Sequence, residues 1–209
     1  MKTPVTGAPR LTLPMLVLAS GSPRRRELMK ALGVPFTVVE SGYDELNTAA
    51  RGPRAIVRAH ARGKAASVAA RVSSGVVIGA DTLVWLAGVP YGKPRNLADA
   101  RRMLRALQGR THSVHTGLAL FDTARTRWVV GDVCTRVTMR PLGPREIDWY
   151  LHRVNPLDKA GAYAIQEAGG IIIERISGCY YNVIGFPVAT LETMLRRLGH
   201  SLVAGVPCA

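Results

Sequence analysis

Four polar clusters interrupt otherwise apolar or well-capped stretches of this chain, and their side chains suit work on phosphate and metal. In LASGSPRRRELMKALG, residues 18–33, three consecutive arginines, Arg24, Arg25 and Arg26, fall in the first turn of an expected helix. A helix N-terminus carries partial positive charge and favours Asp or Glu, so arginines there cost stability unless an anion visits. The turn is either poorly tuned or built to receive a phosphate.

The second cluster is GADT, where Asp81 ends the apolar strand Val76–Ala80. One reading makes Asp81 a hairpin residue satisfied by backbone N–H groups. The other makes it a metal ligand. Of the 14 acidic residues, Glu27, Asp99, Glu146, Asp148 and Glu192 read as solvated helix positions, which leaves few carboxylates among many cations. Asp81 and Glu45, the latter in DEL, are then the most economical ligands for Mg²⁺, which takes one or two carboxylates plus water and phosphate oxygens. Third, Lys93 stands on a turn between Gly92 and Pro94, either reaching a phosphate or simply solvated. Fourth, LDKAGAYAIQ gathers Asp158, Lys159, Tyr163 and Gln166. A Tyr with a Gln suits a nucleobase; a packed loop with a solvated Asp–Lys pair is the plain alternative.

Other chemistries lack their patterns. There is no GxxxxGK[ST], no GxGxxG in a strand–helix context, no kinase signature and no GxSxG elbow. His60, His112, His115, His152 and His200 show no metal-ligand spacing, and Cys134, Cys179 and Cys208 form neither a CxxC nor an even set. A reducing, cytoplasmic compartment is therefore expected. No apolar run approaches the roughly 18 residues of a membrane helix. LTLPMLVLASGS is short, broken by Pro14 and runs into arginines, so residues 1–12 read as a flexible leader and 13–205 as a single domain.

Lys and Arg total 28 against 14 acids, a net charge of +14. That balance favours an anionic partner, whether nucleic acid, acidic membrane or phosphorylated metabolite. The cations are spread along the chain, unlike a polybasic tail, and an arginine-rich genome gives the same bias. With 6% aromatics and no recognisable binding module, nucleic acid is not the expected ligand.

The elements that must position these clusters are legible in the hydrophobic pattern. Leu16–Ala19 reads as a buried strand, followed by a helix with Ser22 as N-cap, Pro23 at its first position and Gly33 at its end. PFTVVES, residues 35–41, is a strand, and a helix runs from Pro53 to Arg71 with Gly63 as its weak point. AGVP offers a turn after GVVIGADTLVWL. Asn96 caps a helix to Gln108, whose stripe is Leu97, Ala100, Met103, Leu104 and Leu107. THSVHTGLALF and RWVVGDVCTRVTM are long strands, the second alternating as a half-exposed one does. Pro144–Leu151 is a short helix, GGIIIERI a buried strand and Pro187–Leu198 a closing helix. The order predicts an α/β fold with a mixed sheet, without a clean repeated βαβ unit.

Taken in order, LASGSPRRRELMKALG, RGKAASVA, GADTLV, GKP, HSVHTG, LDKAGAYAIQ and GCYYNVIGFPV resemble the Maf family, also called septum-formation-inhibitor-like proteins. The resemblance spans Leu16 to about Leu195. It implies a nucleoside triphosphate pyrophosphatase that cleaves between the α- and β-phosphates with a divalent metal, Mg²⁺ or Mn²⁺. It also implies a mixed, curved sheet with flanking helices, two lobes around a central cleft as in the Maf and ITPase-like folds, and often a homodimer. Asp81 would be the proton acceptor that activates water. Arg24, Thr82 and Gln166 match positions linked in the family to substrate selection. Arg25, Glu45, Lys64 and Lys93 fall where the family places phosphate- or metal-binding groups. DKAGAYAIQ resembles the dTTP/UTP-hydrolysing branch, whereas the 7-methyl-GTP branch carries a Ser-Phe-Lys-type loop. The chain departs from the family pattern at Phe186, where Leu is usual, at Glu167, where Gly is common, and at Leu83 in place of Val.

At about 100° per residue, three successive arginines cannot face one way. Arg24, with Arg25 or Arg26, is expected to turn towards a polyphosphate and the remaining one towards solvent. The competing readings are a 7-methyl-GTP pyrophosphatase, a non-catalytic regulator of cell division and a nucleic-acid-binding protein.

Overall fold

The computed structural model describes residues 12–45 and 52–204. Residues 1–11 of the leader expected over 1–12, Cys208 and the domain's expected end at 205 lie outside them. Strand β1 (Leu16–Ala19) is buried along its whole length, as its unbroken apolar run requires. It lies parallel between β2 (Phe36–Val38) and β3 (Val76–Leu86). Beyond β3 the sheet is antiparallel: β5 (Thr111–Asp122), β6 (Arg127–Met139) and β7 (Ile173–Ser177) follow in order. The seventh strand, β4 (Val89–Tyr91), returns against the far end of β3 through a turn with Ala87 and Gly88 at positive φ. The fold is α/β with a mixed sheet.

Helices α1 (Pro23–Ala31) and α7 (Val188–Arg197) cover one face of the first half of this sheet, over Leu16, Leu18, Ile78, Leu118 and Leu120. Helices α3 (Leu97–Leu107) and α4 (Pro144–Arg153) cover the same face farther along the strands, over Val84, Val114, Val137 and Met139. The long strands β3, β5 and β6 thus run from one core into the next, and these two cores are the two lobes. Helix α2 (Gly52–Ala69) closes the opposite face, over Val17, Ala19, Val77 and Ala119. It sits unusually close. A Cβ at Gly79 would collide with the Ala61 carbonyl, and one at Gly117 with the Val57 carbonyl. These two glycines let the helix backbone settle directly on β3 and β5.

Several expectations are corrected. Asp81 is not in a hairpin; it stands in the middle of an 11-residue strand opposite Gly117. Leu97 is exposed and the buried stripe of α3 starts at Ala100, while Asp99, read as solvated, is buried and bonded by Arg102 and the Arg95 amide. GGIIIERI divides into a helical turn, α5 (Gly169–Ile172), and the half-exposed edge strand β7. The turn α6 (Tyr180–Ile184) carries no periodic signal and was not foreseen. Thr12, assigned to the leader, bridges to His200 and accepts from the Ser201 amide at 2.9 Å.

Candidate active site

One edge of β3 is lined first by β1, at Val76–Gly79, and later by β4, at Val84–Leu86. Between them the edge has no strand partner, because β1 has ended and its chain has turned away into α1. Such a gap, beyond the carboxyl end of a parallel strand, is where α/β sheets form ligand crevices. A cleft of about 640 Å³ opens there. Asp81 and Thr82 face opposite sides of the sheet, as neighbours on a strand must, yet both border the cleft because the edge between them is open.

On the α2 side, the apolar stripe Ile56, Val57, His60, Ala61, Lys64, Ala65 and Val68 puts two polar residues into the buried face, one helical turn apart. They meet Asp81. Lys64 Nζ lies 2.7 Å from Asp81 Oδ1, and His60 Nδ1 lies 3.2 Å from Asp81 Oδ2. Lys64 also reaches Glu45 Oε1 at 2.6 Å. Burial alone would raise the pKa of Asp81, but the His60 hydrogen bond and the neighbouring Lys64 and Arg25 charges hold it below the usual carboxylate range. Asp81 is an anion within a ring of donors.

On the other side, Arg25 is buried and spends its fork on the protein: Nε on Gly185 O at 2.9 Å, Nη1 on Ala80 O at 2.9 Å and Ser20 Oγ at 3.1 Å, and Nη2 on Thr82 Oγ1 at 3.0 Å. That leaves little of it for a ligand. Arg24 grips Asp158 on the facing wall, with Nη1 on Oδ2 at 2.9 Å and Nη2 on the carbonyl at 2.8 Å. Arg26 is half-buried and does not border the cleft. Lys93, exposed, and Gln166, half-exposed, lie on the cleft wall. The eight side chains to which the resemblance gives a role, Arg24, Arg25, Glu45, Lys64, Asp81, Thr82, Lys93 and Gln166, therefore border one cavity, whereas Arg26 and Lys159 do not.

Glu45, His60 and Asp81 each present a ligand atom within 4.8 Å of the other two. The lysine drawn between the two carboxylates marks a point that stabilises positive charge, so the donor set fits a divalent cation. The oxygens suit Mg²⁺, and the imidazole nitrogen also suits Mn²⁺. His60 was missed because a lone histidine carries no ligand spacing. Its signal was its place, four residues before Lys64 on the apolar face of a helix.

The model of the family described as Maf-like protein matches residues 15–198. The chain belongs to the Maf family. Among curated Maf relatives, the dTTP/UTP pyrophosphatase of Moorella thermoacetica is 47% identical over 184 residues, covering 88% of this chain and 95% of its own. That of Anaeromyxobacter dehalogenans is 47% identical over 191 residues, covering 90% and 96%. That of Dictyoglomus thermophilum is 43% identical over 189 residues, covering 90% and 98%. A solved nucleoside-triphosphatase (dITP/XTP pyrophosphatase) from Mycobacterium abscessus overlaps 66% of this chain and 94% of its own at TM-score 0.40 and 16% identity, too distant to carry an argument. Among the described residues no helix is long and apolar enough to cross a membrane.

Proposed function

We propose that this Maf protein is a nucleoside triphosphate pyrophosphatase acting on dTTP and UTP, releasing the monophosphate and pyrophosphate. The observation that carries the reading is the Asp81 carboxylate, held ionised by Lys64 and His60 at the open edge of β3, in a cleft that Arg24, Arg25 and Lys93 also border. Relatives at 43–47% identity bear that activity in their names. The loop DKAGAYAIQ, of which Gln166 borders the cleft, supports the pyrimidine branch.

Hydrolysis needs a water placed in line with the α-phosphorus, an acceptor for its proton and relief of the charge on the leaving pyrophosphate. Asp81 takes the proton as the new P–O bond forms and the bond to the β-phosphate breaks. Lys64 stands on α2 within reach of both Asp81 and Glu45. A triphosphate competes for its ammonium, and losing that partner makes Asp81 a stronger base. Lys93, free of ion pairs among the described residues, supplies charge from the opposite rim, and the first-turn amides of α1 add their dipoles. Glu45 and Asp81, with His60 beside them, would hold Mg²⁺ or Mn²⁺, which when bound neutralises phosphate charge and polarises the α-phosphoryl group. Arg25 holds Thr82 and the β3 edge in place, and Thr82 is proposed to face the substrate from there.

Pyrophosphate release with Mg²⁺ or Mn²⁺ across dTTP, UTP, CTP, GTP and 7-methyl-GTP tests the reading. Selective release from dTTP and UTP is expected. Preference for 7-methyl-GTP keeps the reaction and discards the assigned role of Gln166; no release from any of them discards the enzyme.

A further inference from the structure

Arg24 matches a substrate-selecting position, yet its guanidinium is already engaged. Both of its terminal nitrogens are bound by one residue, Asp158, through the side chain at 2.9 Å and the backbone carbonyl at 2.8 Å. The two residues are 134 positions apart. Arg24 belongs to the first turn of α1 on one lobe, and Asp158 begins the loop 158–167 on the wall that carries Gln166. The grip therefore spans the cleft.

The loop end of this grip is itself braced. Lys159, only 4% exposed, bonds Asp158 Oδ1 at 3.0 Å and Asn155 O at 2.8 Å, and pairs with Glu167 Oε1 at 3.3 Å. Charges alternate from Arg24 through Asp158 and Lys159 to Glu167, so each ion has an opposite neighbour. Two residues without glycine's freedom, Ala162 at φ 64° and Glu167 at φ 57°, lie at positive φ within the loop. Strained backbone persists only where the surroundings over-determine it. The residue next to Gln166 is thus held in a shape it would not adopt alone.

We infer that Asp158 is a positioning residue for base selection. By clamping Arg24 across the cleft, it fixes the gap between the phosphate-receiving turn of α1 and the loop bearing Gln166, so that only a pyrimidine-sized base fits between them. Arg24 acts on base choice through this grip. The inference rests on the pyrophosphatase reading above.

The test is a double-mutant cycle with Arg24→Met, Asp158→Asn and both together. It is read as KM and kcat for dTTP, UTP and dGTP, and as Kd for dTTP in EDTA. Asp158→Asn is expected to raise KM for dTTP and UTP about ten-fold, leave kcat within about two-fold and lower the preference over dGTP comparably. Added to Arg24→Met, it should change nothing further, because residues acting through one contact are not additive. Additive effects overturn the inference, as does unchanged selectivity or a uniform loss of kcat with a fall in melting temperature. Should Asp158→Asn fail to fold, Arg24→Lys keeps the charge and loses the two-point grip; wild-type selectivity in that variant overturns the inference equally. A wild type that binds dTTP without hydrolysing any triphosphate overturns only the pyrophosphatase reading, since the cycle in Kd still decides this one. Absence of binding overturns both.

Discussion

Lys64 Nζ lies 2.7 Å from Asp81 Oδ1 in a seam where helix backbone rests directly on glycines of the sheet. The contact depends on that closeness. A side chain at Gly79 or Gly117 would lift α2 off the strands and withdraw both Lys64 and His60 from the carboxylate. The chemistry of the cleft is therefore set by residues with no functional group of their own.

Asp81→Asn removes the proton acceptor and keeps the shape. Loss of a positioned general base lowers kcat by roughly 10²–10⁴-fold, while nucleotide binding, supplied by the cations and the α1 turn, should change only a few-fold. Steady-state kinetics beside calorimetric titration with dTTP in EDTA separates the two. Equal loss of turnover and affinity would sink the base role and assign Asp81 to cation binding alone.

Arg25→Lys addresses the second arginine. Its guanidinium ties the turn after β1, the open edge of β3 and Gly185 together through four hydrogen bonds. A lysine ammonium cannot reproduce that planar fork, and buried acceptors are left unpaired, at a cost of about 2–4 kcal/mol. Urea unfolding measures it. A loss below about 1 kcal/mol would show that the group serves a ligand more than the fold.

What the sequence made legible follows from how local each signal is. Helix α3 has its Asn96 cap accepting from the Asp99 amide at 2.9 Å, and β6 spans Arg127–Met139 as its alternation indicated, because caps and period are written in adjacent residues. The eight cleft residues were found through motif resemblance and composition, not through geometry. What stayed hidden is long-range. The partner of Asp81 on α2, His60, is 21 positions away, and the partner of Arg24 is 134 away. GGIIIERI misled because a short apolar run is equally consistent with a helical turn packed on a sheet and with a strand. The three arginines divide by helix rotation, but not as expected: the buried Arg25 serves the fold, the half-buried Arg24 serves the facing wall, and Arg26 is half-buried where a solvated side chain was expected.

Gly63 reads in sequence as a weak point of α2, and the structure gives it a purpose. A Cβ there would meet the Tyr43 ring, which lies 5.9 Å from the His60 ring between centroids, two residues before Glu45. Alanine in mid-helix favours the helix by about 1 kcal/mol, and a tyrosine side chain yields more easily than helix backbone. Gly63→Ala is therefore expected to leave the melting temperature unchanged or raised, while raising KM several-fold as Tyr43 and Glu45 are pushed aside. A lower melting temperature with unchanged KM would show that the ring cannot move.

His112 links stability to pH through the wall of the cleft. It is 3% exposed and shares a 2.6 Å hydrogen bond from its Nε2 with the hydroxyl of Tyr163, which borders the cavity. Its Nδ1 has no partner among the described residues, so protonating both nitrogens would strand an N–H in an apolar core. Burial accordingly pulls its pKa from 6.5 to about 4. Between those values the unfolded chain takes up a proton that the native chain refuses, so stability falls as pH falls through that window, by roughly 3 kcal/mol at its lower end. His115, also lowered by burial, acts with the same sign. The depressed carboxylates Asp81, Asp122 and Asp158 lose their contributions only below the usual carboxylate range. His112→Gln keeps a hydrogen-bonding group for Tyr163 but cannot titrate. Urea unfolding at pH 7, 5.5 and 4.5 should show a shallower dependence in this variant than in the wild type. Parallel curves would place the His112 proton in the native state and remove burial as the force that holds the Tyr163 wall neutral.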